Sequence, residues 1–209
     1  MRDSEISRMS HVLQGSLQTA LLNVQAVAVT LGRDDDAQAS IRAARAELLR
    51  AGRMLLAAFD IVSLELGKPE RMNLRPLTAR ALVEYGVDGV TLSPGPWPDV
   101  VGDARLLRRA IGQLAANACA ATSAQARRPE IHSSSKGGNV TLVVKDWGGG
   151  FGAVTPLGRA FTASQSDHVA TGLLTVERIA RLHRGTLLFA SSPAGTTVSL
   201  TLPRARRAR

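Results

Sequence analysis

His11 is the residue with the clearest capacity for covalent chemistry. Counting heptad positions from Ile6 as a core position puts His11 on the face of its helix opposite the apolar seam, toward water. A solvent-facing imidazole can take a phosphoryl group on a ring nitrogen and pass it on. Taken alone, it reads as an ordinary surface histidine. A second group lies at Val143-Val144-Lys145-Asp146-Trp147-Gly148-Gly149-Gly150-Phe151, a strand run ending in Asp-x-Gly-x-Gly. Glycines there let another backbone or a ligand come close, and taken alone they also read as a plain turn. His132 and His183 read as strand and helix structure, and His168 as a lid or surface residue. The single cysteine, Cys119, cannot make an internal disulfide, and no Cys/His cluster suggests a zinc site, so it reads as core packing.

The elements that must hold these residues follow from periodicity. Ile6, Met9, Leu13, Leu17, Ala20, Val24, Val27 and Leu31 keep a near-heptad spacing, which predicts one long amphipathic helix. Gly32, Arg33, Asp34, Asp35 and Asp36 break it with turn chemistry. A second stripe, Ile41, Ala44, Leu48, Ala51, Leu55, Ala58 and Val62, runs until Gly67 and Pro69 stop it. The pair predicts an antiparallel hairpin whose uncovered seam calls for a second copy, forming a four-helix bundle. After Pro69 the period changes. Strands are expected near Met72 to Leu74, Val90 to Leu92, Glu130 to Ser133, Val140 to Val144, Thr186 to Phe189 and Thr197 to Leu202. Helices are expected at Leu77 to Tyr85, Ala104 to Ser123 and Gly172 to His183, and together these make an α/β sandwich with helices on one face of a mixed sheet. The stretch from Gly148 to Thr171 has no period and reads as a loop with a task, such as a lid.

Composition narrows the function classes. With 44% hydrophobic and 21% charged residues over 209 positions, the chain can fold as one large domain or two small ones. It carries no apolar run long enough for a membrane span and no signal peptide, which predicts a soluble, cytoplasmic protein. The net charge of +9 would suit nucleic acid, but a good part sits in the tail Arg204, Arg206, Arg207 and Arg209. Aromatic residues are only 3%, leaving few platforms for stacking bases, so nucleic acid is not the expected partner.

Several segments, in order, resemble the core of sensor histidine kinases. Ser10-His11-Val12-Leu13-Gln14-Gly15-Ser16-Leu17 resembles the family's H box, with Val12 and Ser16 where an acidic residue and a proline usually stand. Gly102-Asp103-Ala104-Arg105-Leu106-Leu107, leading into Gln113-Leu114-Ala115-Ala116-Asn117-Ala118, resembles its N box. The Asp146-x-Gly148-x-Gly150 run resembles the first glycine box, and Arg159-Ala160-Phe161-Thr162-Ala163-Ser164 a Phe-Thr-Thr segment before a short lid. Ala170 through Gly185 resembles the second glycine box and its helix, keeping Gly172 but holding His168 and Ala170 at the two earlier glycines. Thr196 to Pro203 closes the chain as in the family.

The resemblance implies an α+β protein: a two-helix hairpin over residues 1–67 that dimerises and carries the phosphoryl group, a GHKL-type ATP-binding α/β sandwich over 71–203, and a basic tail over 204–209. It implies ATP and Mg²⁺ as cofactors and a nucleotide site at Asn117, Gln113, Asp146, Gly148, Gly150, Thr162, Gly172 and Leu173. Asn117 would help hold the magnesium, a task an oxygen ligand suits; Asp146 would accept the adenine amino proton, and His11 would be phosphorylated. The backbone N–H groups at the helix start near Gly172 would face the phosphates. The implied partners are a second copy, the receiver domain of a response regulator and a separate sensor protein. Val12, Ser16, His168 and Ala170 fit a second reading, an ATP-independent phosphotransferase in which His11 only relays phosphoryl groups.

Overall fold

The computed structural model describes residues 2–30, 35–122, 127–150 and 167–205, the side chains of 2–12, 30, 35 and 167–171 excepted. The chain forms two compact units, Met1–Ser63 and Leu64–Arg209. Among the described residues no helix is long and apolar enough to cross a membrane.

The first unit is α1 (Arg2–Thr30) packed against α2 (Asp35–Val62). Leu13, Leu17, Ala20, Leu21, Val24 and Ala28 are half-buried, and so are Ile41, Leu48, Leu55 and Phe59 across the seam. The helices run antiparallel. Gln38 Nε2 donates to the Ala28 carbonyl at 2.8 Å, and a Cβ on Gly52 would stand 3.5 Å from Leu17. Parts of both stripes stay uncovered within one chain. Val27 is 50% exposed, its place on the seam taken by Ala28, because a straight helix drifts about 20° per heptad against a strict 3.5 repeat. Ala44, Ala51, Ala58 and Val62 are also exposed, since one neighbouring helix covers only one flank of a wide stripe. No described side chain of this unit is fully buried.

The second unit has the core. A five-stranded sheet runs in the order β2 (Thr91–Leu92), β4 (Glu130–Lys136), β5 (Asn139–Lys145), β7 (Gly195–Pro203), β6 (Thr186–Ser192). β2 pairs parallel with β4 and the other pairs are antiparallel, so the sheet is mixed. Strict alternation decides its faces: Val140, Leu142 and Val144 of β5 and Val198, Leu200 and Leu202 of β7 are buried. Helices α3 (Leu74–Glu84), α4 (Ala104–Thr122) and α5 (Asp167–Leu182) cover that face with Leu77, Leu107, Ile111, Leu114, Val176 and Ile179. Each such side chain contributes roughly 1.5–3 kcal/mol by leaving water. The protein is therefore α+β, a helical pair followed by a mixed-sheet α/β domain.

Sequence periodicity misses one strand. β3 (Asp99–Gly102) pairs antiparallel with β1 (Glu70–Asn73) in a two-stranded ribbon, and the Val100–Arg204 bridge joins the ribbon to the end of β7. α3 begins at Leu74 rather than Leu77, because Asn73 caps it by accepting from the Arg75 N–H at 3.0 Å. Pro76 then falls in the first turn, where the missing N–H would have had no intrahelical partner.

Candidate functional site

The site is assembled where the end of β5 meets the last turns of α4. Asp146 follows β5 and is 6% exposed. Its Oδ1 accepts from the N–H groups of Gly148 and Thr196, each at 3.0 Å, while its own N–H donates to the Thr196 carbonyl at 2.9 Å. The carboxylate is thus aimed from behind. Among the described residues no hydrogen bond reaches Oδ2, which leaves it able to accept from a ligand.

The glycines around Asp146 have a structural cause within the fold. A Cβ on Gly148 would stand 2.7 Å from the Ala121 carbonyl oxygen at the end of α4. Gly150, with φ +70°, would drive a Cβ to 2.2 Å from the Ser192 oxygen, and Gly195, with φ +132°, to 2.2 Å from the Asp146 oxygen. The close approaches shown are therefore between protein backbones, and they seat the loop on the turn between β6 and β7. Gly195 and Thr196 belong to the site although pattern reading gave them no role there. The signal available was a glycine just before the alternating run Thr196 to Leu202.

On α4, Gln113 and Asn117 stand one turn apart. Gln113 Oε1 and Asn117 Nδ2 are buried and have no hydrogen-bond partner among the described residues. An orphaned polar atom in a protein interior costs about 1–3 kcal/mol unless something else satisfies it. Facing both is Gly172 of α5, where a Cβ would lie 3.7 Å from Asn117 Nδ2 and 4.0 Å from Gln113 Cδ. The structure thus brings Gln113, Asn117 and Gly172 together, and its β5–β7 glycine turn brings Asp146, Gly148 and Gly150 together. A carboxylate, an unpartnered donor and an unpartnered acceptor fit a nucleotide, whose base and phosphates offer both donors and acceptors. Asn117 also has an amide oxygen of the kind magnesium takes.

The start of α5 differs from the expected one. The helix begins at Asp167, so Gly172 and Leu173 lie beyond the first four N–H groups and their own N–H groups serve the helix ladder. Leu173 is 5% exposed and packs in the core. Gly172 looks like a helix start in sequence because glycine costs roughly 1 kcal/mol inside a helix; here it leaves room over the two amides. Thr162, together with most of the expected lid, lies outside the described residues. His11 is in α1, but its side chain is likewise not described. Gly15, Gln18 and Leu22, further along the same helical stripe, are exposed.

Behind the site, His183 fixes α5 to α4. Its Nδ1 lies 2.8 Å from the Ile179 carbonyl, and its Nε2 accepts from the Asp103 N–H at 2.9 Å, which assigns the proton to Nδ1. Gly102 makes room for the ring, since a Cβ there would come within 2.4 Å of it. Asp103 caps α4 through Leu106 N–H at 3.1 Å and holds Gly67 N–H at 2.9 Å. Burial pushes the Asp103 carboxyl up, but the Leu106 and Gly67 donors and the Arg105 guanidinium outweigh it, and its pKa lies below the ordinary value. Among the described residues no cluster of three or more His, Cys, Asp and Glu could hold a metal by itself.

No curated protein matches the chain. Solved structures do. The Acinetobacter baumannii histidine kinase AdeS is 17% identical with a TM-score of 0.59, the match covering 92% of this chain and 98% of that one. The mycobacterial sensor histidine kinase MprB is 24% identical with a TM-score of 0.54, covering 65% and 97%. Full-length ShkA in complex with AMPPNP is 20% identical with a TM-score of 0.62, covering 99% of this chain and 47% of that one. At such identities these likenesses establish the fold, that of a histidine kinase core. Residues 102–206, which include α4, Asp146 and α5, match the model of the histidine kinase-, DNA gyrase B- and HSP90-like ATPases, and the chain belongs to that family.

Proposed function

We propose that this protein is the core of a two-component histidine kinase that phosphorylates itself on His11 from ATP and passes the group to an aspartate on a response-regulator receiver domain. One observation carries the reading: two buried amide atoms, on Gln113 and Asn117, lack partners among the described residues and face Gly172, within the same domain as the Asp146 carboxylate held through its Oδ1. In this reading Asp146 Oδ2 accepts the adenine amino proton. Asn117 Nδ2 donates to a phosphate oxygen, Gln113 Oε1 accepts from a sugar hydroxyl or a bound water, and Asn117 offers its amide oxygen to Mg²⁺. The metal, when bound, supplies charge neutralisation on the phosphates.

In this reading residues 1–67 serve dimerisation and phosphotransfer and 71–203 the nucleotide, although the compact units divide four residues earlier, between Ser63 and Leu64. A ring nitrogen of His11 forms a bond to the γ-phosphorus as the bond to the β–γ bridging oxygen breaks, and ADP leaves. The exposed apolar residues Leu22, Val29, Leu49, Leu56 and Val62 support a second copy packing on the hairpin. A separate sensor protein would supply the signal.

Incubating the protein with γ-radiolabelled ATP and Mg²⁺, beside a His11→Ala variant, tests this directly. Acid-labile label on the wild type alone is the expected result; equal labelling of both excludes His11. Val12 and Ser16 in the H box support a second reading, a phosphotransferase that binds no ATP. Under that reading neither protein labels from ATP, but the wild type takes label from a phosphorylated receiver domain.

A further inference from the structure

We infer that Trp147 is a positioning residue of the nucleotide site, the latch that holds Asp146 against the end of α4. This rests on the nucleotide reading of Asp146. Trp147 lies between the aimed carboxylate and Gly148, and it is tied on four sides. Its backbone N–H donates to the buried Thr122 Oγ1 at 3.2 Å, on the last turn of α4. Its indole N–H donates to the Arg128 carbonyl at 3.1 Å. The Arg127 guanidinium lies 3.2 Å from the ring centre and the Lys145 ammonium 4.1 Å. Two cations against one indole are mutually repulsive unless the ring's negative face and neighbouring anions offset them, and Arg127 also pairs with Glu130 at 3.6 Å.

The consequence reaches the ligand groups through backbone alone. Gly148 lets the loop sit directly on the Ala121 carbonyl, so the Trp147–Thr122 bond sets how far Asp146 stands from the helix that presents Asn117. Thr196 steers Asp146 from the other side. Trp147 touches none of Asp146, Gln113 or Asn117 by hydrogen bond among the described residues, so its effect on binding is on geometry. It acts at the adenine end, and its loss weakens every adenine nucleotide by the same factor, whatever the phosphate count.

The protein has two tryptophans, and Trp97 is buried in the core, so a Trp97→Phe background leaves Trp147 as the sole indole reporter. In that background AMPPNP and ADP, each with Mg²⁺, are titrated while indole emission and calorimetric heat are followed together. The expected result is an emission change that saturates at the calorimetric Kd. Thr122→Val and Trp147→Ala each weaken both nucleotides about tenfold, Thr122→Ser restores them, and Trp147→Phe falls between. Circular dichroism confirms that each variant is folded; Trp147→Phe and Thr122→Ser keep the test open should the harsher variants unfold. Unchanged dissociation constants in folded Thr122→Val and Trp147→Phe overturn the latch while leaving the nucleotide reading intact. Calorimetric silence of the wild type overturns both.

Discussion

At the scale of single residues, Asp146 and Gly172 make opposite predictions about fold and binding. Asp146→Asn keeps an oxygen for the Gly148 and Thr196 N–H groups but replaces Oδ2, which accepts no hydrogen bond among the described residues, by a donor. Nucleotide affinity should fall by about 1.5–3 kcal/mol, the worth of a charge-assisted hydrogen bond, with a small change in Tm; an unaltered Kd in calorimetry removes Asp146 from the adenine site. Gly172→Ala removes a glycine from inside α5, and the new Cβ meets Asn117 and Gln113 only at ordinary contact distance. Thermal melting should show a gain of up to about 1 kcal/mol, while nucleotide binding weakens because a methyl occupies the space over the amides. A gain in both quantities contradicts the site. Asp146 and Asn117 were nominated in sequence by the resemblance of their segments to the family's boxes, because taken alone a carboxylate at a strand end and an amide on a helix also have plain structural uses. The bond from Thr196 to Asp146 was not legible, because it spans 50 positions and exists only through the β5–β7 register.

At the scale of elements, the glycine turn and the α4 cap have measurable costs. Gly150→Ala forces a positive φ and a backbone clash at 2.2 Å, and should destabilise the second unit by about 1–3 kcal/mol in urea unfolding. The α4 cap predicts a pH dependence. Because the Asp103 carboxyl titrates below its unfolded value, its contribution is complete above about pH 4 and is lost as pH falls through the folded pKa. Asp103→Asn should therefore lower stability at pH 7 and flatten the acid limb of a stability–pH curve; an acid limb identical to the wild type would show that the cap is not what acid releases. Strands with clean alternation, such as Val140 to Val144, were readable because one face is buried and the other wet. β3 was not, since Pro96-Trp97-Pro98-Asp99 gives turn signals right up to a four-residue strand. The starts of α3 and α5 were misplaced for a shared reason: a proline and a glycine that usually bound helices are here tolerated within them, by a first-turn position and by the space left over α4.

At the scale of the whole molecule, the change of period after the heptads is visible in sequence, and it separates a unit in which no described side chain is fully buried from one with a dense core. What sequence did not tell is that Leu64 already belongs to the second core, because one leucine after a heptad run reads as more seam. An unpartnered hairpin of this kind predicts self-association, and Leu56→Glu on the exposed flank of α2 should shift sedimentation from dimer toward monomer. A wild type that sediments as a monomer at all concentrations would remove the four-helix bundle. A nucleotide should satisfy the Gln113 and Asn117 amide atoms, unpartnered among the described residues, and the Asp146 carboxylate, and calorimetric titration of ATP with and without Mg²⁺ tests this most directly. Saturable binding to the wild type, weakened by Asn117→Ala most when Mg²⁺ is present, is the expected result. No heat from the wild type, or an Asn117→Ala variant that binds as tightly as the wild type with the metal present, would contradict it.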